Sequence, residues 1–579
     1  MGNKMARKRQ DGVLKRRIVE RNGEKYVYTS TSHMENGKKV NEETYLGKLD
    51  AQGNLIPKKP YRSREERERV RTEMSIDPLD GLRVKEYGAV HFLDCIQRRM
   101  GLGEDLIRSF GLSGTTILAM AEAMAIGDTE VFLDIDSIFE RTSLRDYYGL
   151  TSPMDSPALT KFTNDIGKAT SNVDEFYQRR VQRAMGAIAW DLTTQGTYSD
   201  MQGLSEYLVK NKDNEDLKQV KTGIATDQRG IPMMLKHYPG TLSEQATLRS
   251  FMDDLKRYGK DPSECILAYD RGFEVARNAK CSLEQGFRFV APVAIGPKPI
   301  KKLLTEFVSS KEKKAMVYDD HAYTVMTCKI GLRSTDKPTA DGSPNYEFTL
   351  EGDEGHGSEG MLDAYICFDS EKYSNEIQAR DRAIDAIMKK AAKIDCAHPV
   401  KEFNRIAGKM ASKFSVKADG RKVVVTLKNN SMTFSDNRAG MFIMLCTEGI
   451  EWDVMMKVYD IRCYVEQAFD KKKSSDRRFR TGDKISMEGR EFVRFLALML
   501  RAEIEAEFRE NKLDTKYTVE GTLSNLNSMI SLIKGEWSRL DNVTKTHRTV
   551  FESCGFEIPK SVVRGVSAYD YPIDDALGP

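Results

Sequence analysis

Between residues 186 and 273 the chain reads as a fixed succession of buried strand, hairpin, helix and buried strand. "GAIAWDLTT" is a short apolar run ending in polar residues, and a run of that length suits a buried strand. "QVKTGIATDQRGIPMMLKHYPG" holds two strand-like runs around an Asp-Gln-Arg-Gly turn. "TLSEQATLRSFMDDLKRYG" opens with a Thr241-x-x-Glu244 capping box and stops at Gly259, which predicts a helix. "ECILAYDRGF" is the second buried strand. This order predicts an α/β layout. It leaves Asp191 and Asp270 at predicted strand ends, where open α/β sheets collect their ligands. Singly, each carboxylate suits a turn cap. On neighbouring strands the two would converge, repel one another and require a cation.

A third carboxylate comes from "YDIRCYVEQAFDKKKSSDR", residues 459–477, which predicts one helix. Val458, Ile461, Val465 and Phe469 form its apolar stripe. Tyr459, Arg462, Glu466 and Lys473 recur at i, i+3, i+7 and i+14. At about 100° per residue they fall within roughly 60° of one another, beside the apolar stripe. If the apolar stripe packs on the sheet, Glu466 joins Asp191 and Asp270 in an oxygen-rich site suited to Mg²⁺ or Mn²⁺. Two such ions about 3.5–4 Å apart activate water and stabilise the leaving oxygen of a phosphodiester. Arg462 and Lys473 would then hold phosphate oxygens, and Tyr459 would stack or hydrogen-bond near the backbone. Lys471, Lys472, Arg477, Arg478 and Arg480 would extend the basic surface. The plainer alternative is a solvated helix face with i, i+3 and i+4 ion pairs.

Composition narrows the remaining classes. With 579 residues the chain is long enough for several domains. Its 90 Lys and Arg against 87 Asp and Glu leave a net charge of only +3, so any nucleic-acid surface must be local. The first 25 residues are one such place, with nine basic side chains against three acidic ones. Asn-Gly pairs at 22–23 and 36–37 predict two hairpins just beyond or within that arm. Nine scattered cysteines without a Cys-x-x-Cys pair argue against zinc and suit reduced thiols. The seven histidines lack metal-ligand spacing, and neither a Gly-x-Ser-x-Gly elbow nor a Walker loop occurs. The loop "EGDEGHGSEG" lacks the ligand spacing of a calcium loop. The polar N-terminus and the interrupted run "FVRFLALML" predict neither a signal peptide nor a membrane span. The expectation is an intracellular, nucleoid-associated protein.

Tyr459-x2-Arg462-x3-Glu466-x6-Lys473 resembles the YREK signature of bacterial insertion-sequence DDE transposases. "DLTT" and "DRGF" resemble that family's two aspartate motifs, and "GIPMMLKHYPGTLSE" the segment between them. "YLGKLD…GNLIPK" is similar to the N-terminal region of a long-chain branch, so the resemblance runs from about residue 20 to 510. It implies an α/β multidomain protein: a ribonuclease H-like core interrupted by a β-rich insertion, with a β/helical N-terminal region and a helical C-terminus. The 196 residues between Asp270 and Glu466 (466 − 270) leave room for the insertion. The implied boundaries are a basic β unit at 1–60, a helical DNA-binding region at 61–180 and the first core segment at 181–272. The insertion at 273–450, the second core segment at 451–513 and a helical C-terminal region at 514–579, assigned to subunit contacts, complete the chain.

By the same resemblance Asp191, Asp270 and Glu466 are catalytic and hold two Mg²⁺ ions, with Mn²⁺ as a substitute. Tyr459, Arg462 and Lys473 contact DNA, and Thr193 bonds near the first metal or the DNA. The implied partners are double-stranded DNA, as terminal inverted repeats and as target, and a second copy of the chain. The family's base-stacking tryptophan is not carried over, because no Trp lies between Trp190 and Trp452. Two rival readings are a domesticated nuclease that cuts without joining and a decayed protein that binds DNA without cutting.

Overall fold

The protein is described here from a computed structural model. It covers residues 15–566 apart from 22–23, 36–37, 51–52, 54, 58–80, 129–131, 202, 208–216, 271–274, 339–343, 351–358, 430–436, 476–477 and 480. The chain divides into two units, residues 1–82 with 534–537, and 83–533 with 538–579. In the first, Lys15–Arg21, Glu24–Glu35, Lys38–Leu49 and Leu55–Pro57 form an antiparallel sheet in chain order. Arg21 pairs with Glu24, and Glu35 with Lys38, antiparallel across the two predicted Asn-Gly turns, whose own residues lie outside the described ones. The start of the basic arm, and the mixed-charge stretch 61–75, lie outside the described residues.

The second unit is built on one long mixed sheet. Its strands are β1 (Gly186–Thr197), β2 (Lys218–Thr226), β3 (Pro232–Pro239), β4 (Cys265–Ala268) and β5 (Arg288–Pro292). They continue with β6 (His321–Thr335), β7 (Met361–Asp369) and, after the separate two-stranded ribbon β8 (Phe414–Asp419) and β9 (Lys422–Leu427), β10 (Met441–Thr447). The spatial order is β3-β2-β1-β4-β5-β10-β7-β6. β1, β4 and β5 run parallel, and every other neighbouring pair in that order is antiparallel. The parallel strands are nearly all apolar because both faces are covered; Ile188, Ala189, Trp190, Leu267, Ala268, Phe289 and Val290 are all buried.

Helix α1 (Glu244–Arg257) covers one face at the hairpin end. Phe251 of α1 stacks on Trp190 of β1 at 4.3 Å, and a Cβ at Gly223 of β2 would lie 2.1 Å from the same indole. Gly223 is therefore the residue that lets Trp190 lie flat on the sheet. Two further helices, α2 (Ser370–Ala391) and α4 (Trp452–Asp460), bear on the site, and α3 (Pro399–Ala407) packs under the ribbon. They are followed by α5 (Arg462–Ser475) and α6 (Lys484–Glu510).

Several expectations are corrected. "GAIAWDLTT" does not end at Asp191: β1 continues to Thr197, because Leu192, Gln195 and Thr197 are buried and pair along β2. Residues 288–292, assigned to the insertion, form β5 and pair in parallel with β4, so the first core segment passes residue 272. The remaining long insertion strands extend the same sheet through β10 rather than folding apart. Residues 459–477 are not one helix, since the chain breaks at Ile461 between α4 and α5. The cap of α1 is Ser243, whose hydroxyl accepts from the Ala246 amide at 3.2 Å; Thr241 binds Glu206 instead. Within 61–180, the helix Ser113–Gly127 is buried along almost its whole length and belongs to the core. The C-terminal region is not wholly helical, because Ile530–Ile533 pairs with Arg83–Glu86.

Candidate functional site

The parallel register of β1 and β4 brings the first two carboxylates to the same end of the sheet. Ala189 pairs with Ala268. Asp191 lies two residues further along β1, and Asp270 two residues beyond the end of β4. Asp191 accepts from the Leu192 amide at 2.8 Å. α5 lies over β1 and β2 with Val465 and Phe469 buried beneath it, as an apolar stripe requires. The stripe turns Arg462 and Glu466 toward the strand ends. Arg462 Nη1 lies 2.7 Å from Asp270 Oδ1 and 3.3 Å from Glu466 Oε1. The guanidinium also stands 5.0 Å from the Tyr459 ring centroid. Burial opposes the Arg462 charge, but Tyr459, Asp270, Glu466 and Asp191 together outweigh it and raise the pKa above the usual arginine value. Asp270 and Glu466 thus bind one cation directly, and Asp191 adds to the negative field around it.

Asp270, Arg462 and Glu466 open onto a cavity of about 620 Å³. Asp270, Tyr459, Arg462 and Glu466 line one wall, and Lys372, Arg438 and Phe442 from the inserted segment line another. Lys372 Nζ sits 4.9 Å from the Phe442 ring centroid. The residues of this second wall carry no motif in the sequence. They reach the cleft only because β7, β10 and α2 continue the sheet beyond β5.

The basic residues after Glu466 separate. Lys472 is buried and pairs with Glu491 of α6 at 2.7 Å and with Gln195 of β1 at 2.5 Å. Its expected role at phosphate is corrected, because its ammonium is engaged inside the protein. Lys471 pairs with Glu505 of α6, and Arg478 bonds and stacks with the exposed Tyr198. Thr193 is buried in β1, on the face that carries Asp191. The Lys473 backbone is in α5, while its side chain, Arg477 and Arg480 lie outside the described residues.

Local spacing also gave no sign of the group around Glu491. His237 Nδ1 of β3 lies 2.9 Å from Glu488, and its Nε2 3.8 Å from Glu491; Arg494 is 2.6 Å from Glu491. Burial acts against the charged imidazole, yet Glu488 and Glu491 push the His237 pKa up to about 9. Burial likewise opposes ionisation of Glu491, but Lys472, Arg494 and His237 hold its pKa well below the usual carboxylate range.

Carboxylate oxygens are the donors that hard divalent ions take. Among the described residues, however, no three His, Cys, Asp or Glu side chains are grouped closely enough to hold a metal ion. In the arrangement seen, Arg462 supplies the positive charge between Asp270 and Glu466, and the residues do not form a ready metal shell. Among the described residues, no helix is long and apolar enough to cross a membrane.

No family model matches the chain, and no curated protein matches it. Among solved structures it is similar to a piggyBac transposase synaptic complex with hairpin DNA, determined by cryo-EM. The identity is 12%, the match covers 77% of this chain and 80% of that one, and the TM-score is 0.24. A likeness at that TM-score carries no argument about fold or activity.

Proposed function

We propose that this chain is a DNA strand-cleaving and strand-joining enzyme of the DDE transposase type, acting on the terminal inverted repeats of its own element. The observation that carries the reading is Arg462 bridging Asp270 and Glu466 at the edge of an open cleft, with Asp191 adding to the negative field on the same guanidinium. The order β3-β2-β1-β4-β5, with β1, β4 and β5 parallel, supports a ribonuclease H-like core around that site. Dependence on Mg²⁺ or Mn²⁺ is part of the proposal. It requires Asp270 and Glu466 to exchange the Arg462 guanidinium for metal, which frees Arg462 for the negative phosphate backbone. Joining two element ends requires two copies of the chain on DNA.

The position of Arg462 favours one second reading: a DNA-binding protein that holds its carboxylates in ion pairs and does not cut. One experiment separates the two. Labelled duplex carrying the gene's flanking termini is incubated with purified protein, with and without Mg²⁺, beside Asp191→Ala. Metal-dependent nicks at the terminus, absent from the variant, are the expected result. Specific binding without any nick, at every divalent ion tried, overturns the enzymatic reading in favour of the second.

A further inference from the structure

Residues 370–428, from α2 through β9, carry fourteen Lys and Arg against seven Asp and Glu, a net +7. The whole chain carries +3, so everything outside this segment sums to −4 (3 − 7). The segment also has its own small core, in which Ile384, Ile387, Phe403 and Phe414 pack together. On this core stands the ribbon β8–β9, a two-stranded sheet that does not join the long one. Two strands alone are marginal in water, so α2 and α3 are what hold the ribbon in shape.

The ribbon has two chemically distinct faces. Val416, Val423 and Val425 turn toward the small core. The alternate positions Ser415, Lys417, Asp419, Lys422, Val424, Thr426 and Lys428 are exposed, with Asp419 opposite Lys422 at the turn end, so this face carries three lysines against one carboxylate. Lys417 and Lys422 form no ion pair among the described residues, while Lys428 Nζ reaches only the Ser412 carbonyl at 3.2 Å. Val424 is 52% exposed, an apolar side chain left on a basic surface. Lys422 and Lys428 are six residues apart, about 20 Å along an extended strand. A two-stranded ribbon fits the major groove of B-DNA, which is about 12 Å wide. Lysines at both ends would then flank the groove at its phosphates, with Val424 and Thr426 between them over the base edges.

We propose that the outer face of β8–β9 is a docking surface for duplex DNA, separate from the carboxylate cleft. The inference rests on the reading of the chain as a DNA-processing enzyme. It adds that the inserted segment, and not only the α5 stripe, grips the substrate. An acidic protein surface would also attract the lysines, but it lacks a groove of this width and the regular phosphate spacing.

The test uses the full chain and a labelled duplex, with affinity measured across a salt series. Lys417→Gln/Lys422→Gln/Lys428→Gln is compared with Lys512→Gln/Lys516→Gln/Lys545→Gln, which removes the same charge from exposed sites elsewhere. Each phosphate contact contributes about 0.9 to the slope of log affinity against log salt. The ribbon variant is expected to lose roughly 3 from that slope and about a hundredfold in affinity near 0.1 M salt, with an unchanged unfolding midpoint. The control variant is expected to change little. Equal slopes for the wild type and the ribbon variant overturn the inference, as does a wild type that binds no duplex. If the slope falls but no metal-dependent cut occurs with the wild type, the docking surface stands and the enzymatic reading fails. If the wild type cuts and the slope is unchanged, the reverse holds.

Discussion

Helix α5 separates two groups of carboxylates that obey opposite rules. Toward the cleft, Asp270 and Glu466 share one guanidinium near Asp191, and their side chains keep water access: Asp270 is 34% and Glu466 51% exposed. Six residues after Glu466, Lys472 reaches into the second group, where Glu491 is 1% exposed and meets three cationic partners. Charge is matched where water is excluded and left unmatched where water enters. An unpaired charge in a dry interior costs several kcal/mol, so the buried Glu491 is held among cationic partners. Surplus negative charge is tolerable only beside solvent, and there it attracts cations. The difference marks the inner group as structural and leaves the outer group open to solvent and to cations.

The sharpest way to break this comparison is to remove one carboxylate from each group. Glu491→Ala strands Lys472, Arg494 and His237 without their shared anion and is expected to cost about 3–5 kcal/mol in urea unfolding. A loss under about 1 kcal/mol would mean that water already reaches this group. Glu466→Gln is expected to shift the same unfolding curve by less than about 1 kcal/mol, because its ion pair is half exposed. In the cleavage assay it should lose about a thousandfold, near 4 kcal/mol of barrier. Near-wild-type cutting by Glu466→Gln would remove that residue from the site.

The pH dependence of stability sharpens the comparison next. The folded pKa of His237, about 9, lies above its ordinary value of 6.5. Its contribution is therefore complete below pH 6.5 and is lost as pH rises through about 9. The unfolding free energy should fall by about 2 kcal/mol between pH 7 and pH 9, and His237→Gln should flatten that fall. An equally steep fall in the variant would place the titration elsewhere. The smallest effect contrasts two adjacent lysines. Lys472→Met should destabilise by about 1–2 kcal/mol more than Lys471→Met, since only Lys472 is buried against a buried anion. Equal effects would mean that burial does not distinguish them.

Much of this arrangement was legible from local pattern. The strand, hairpin, helix, strand succession at 186–268 follows from apolar run lengths and turn residues, which act within a few positions. The buried stripe Val458, Ile461, Val465 and Phe469 was visible for the same reason. Where local pattern misled, a contact distant in the sequence had the deciding role. The polar residues after Asp191 read as a turn, but pairing with β2 carries them on as strand. The residues 288–292 read as insertion until β4 supplies a parallel neighbour.

Sequence by itself thus determined which segments are strands and helices, and which faces of them are apolar, because those properties depend on near neighbours. Only the tertiary structure decided what the charges do. Lys471 and Lys472 are adjacent in sequence, yet one lies at the surface of α5 and the other ends on Glu491, because each successive helical residue turns by about 100°. The placing of Asp191 and Asp270 at the same end of the sheet, of Arg462 between Asp270 and Glu466, and of Arg438 across the cleft depends on strand order and on how α5 packs over the sheet. Those arrangements are set by burial summed over the whole fold, which no single stretch of sequence contains.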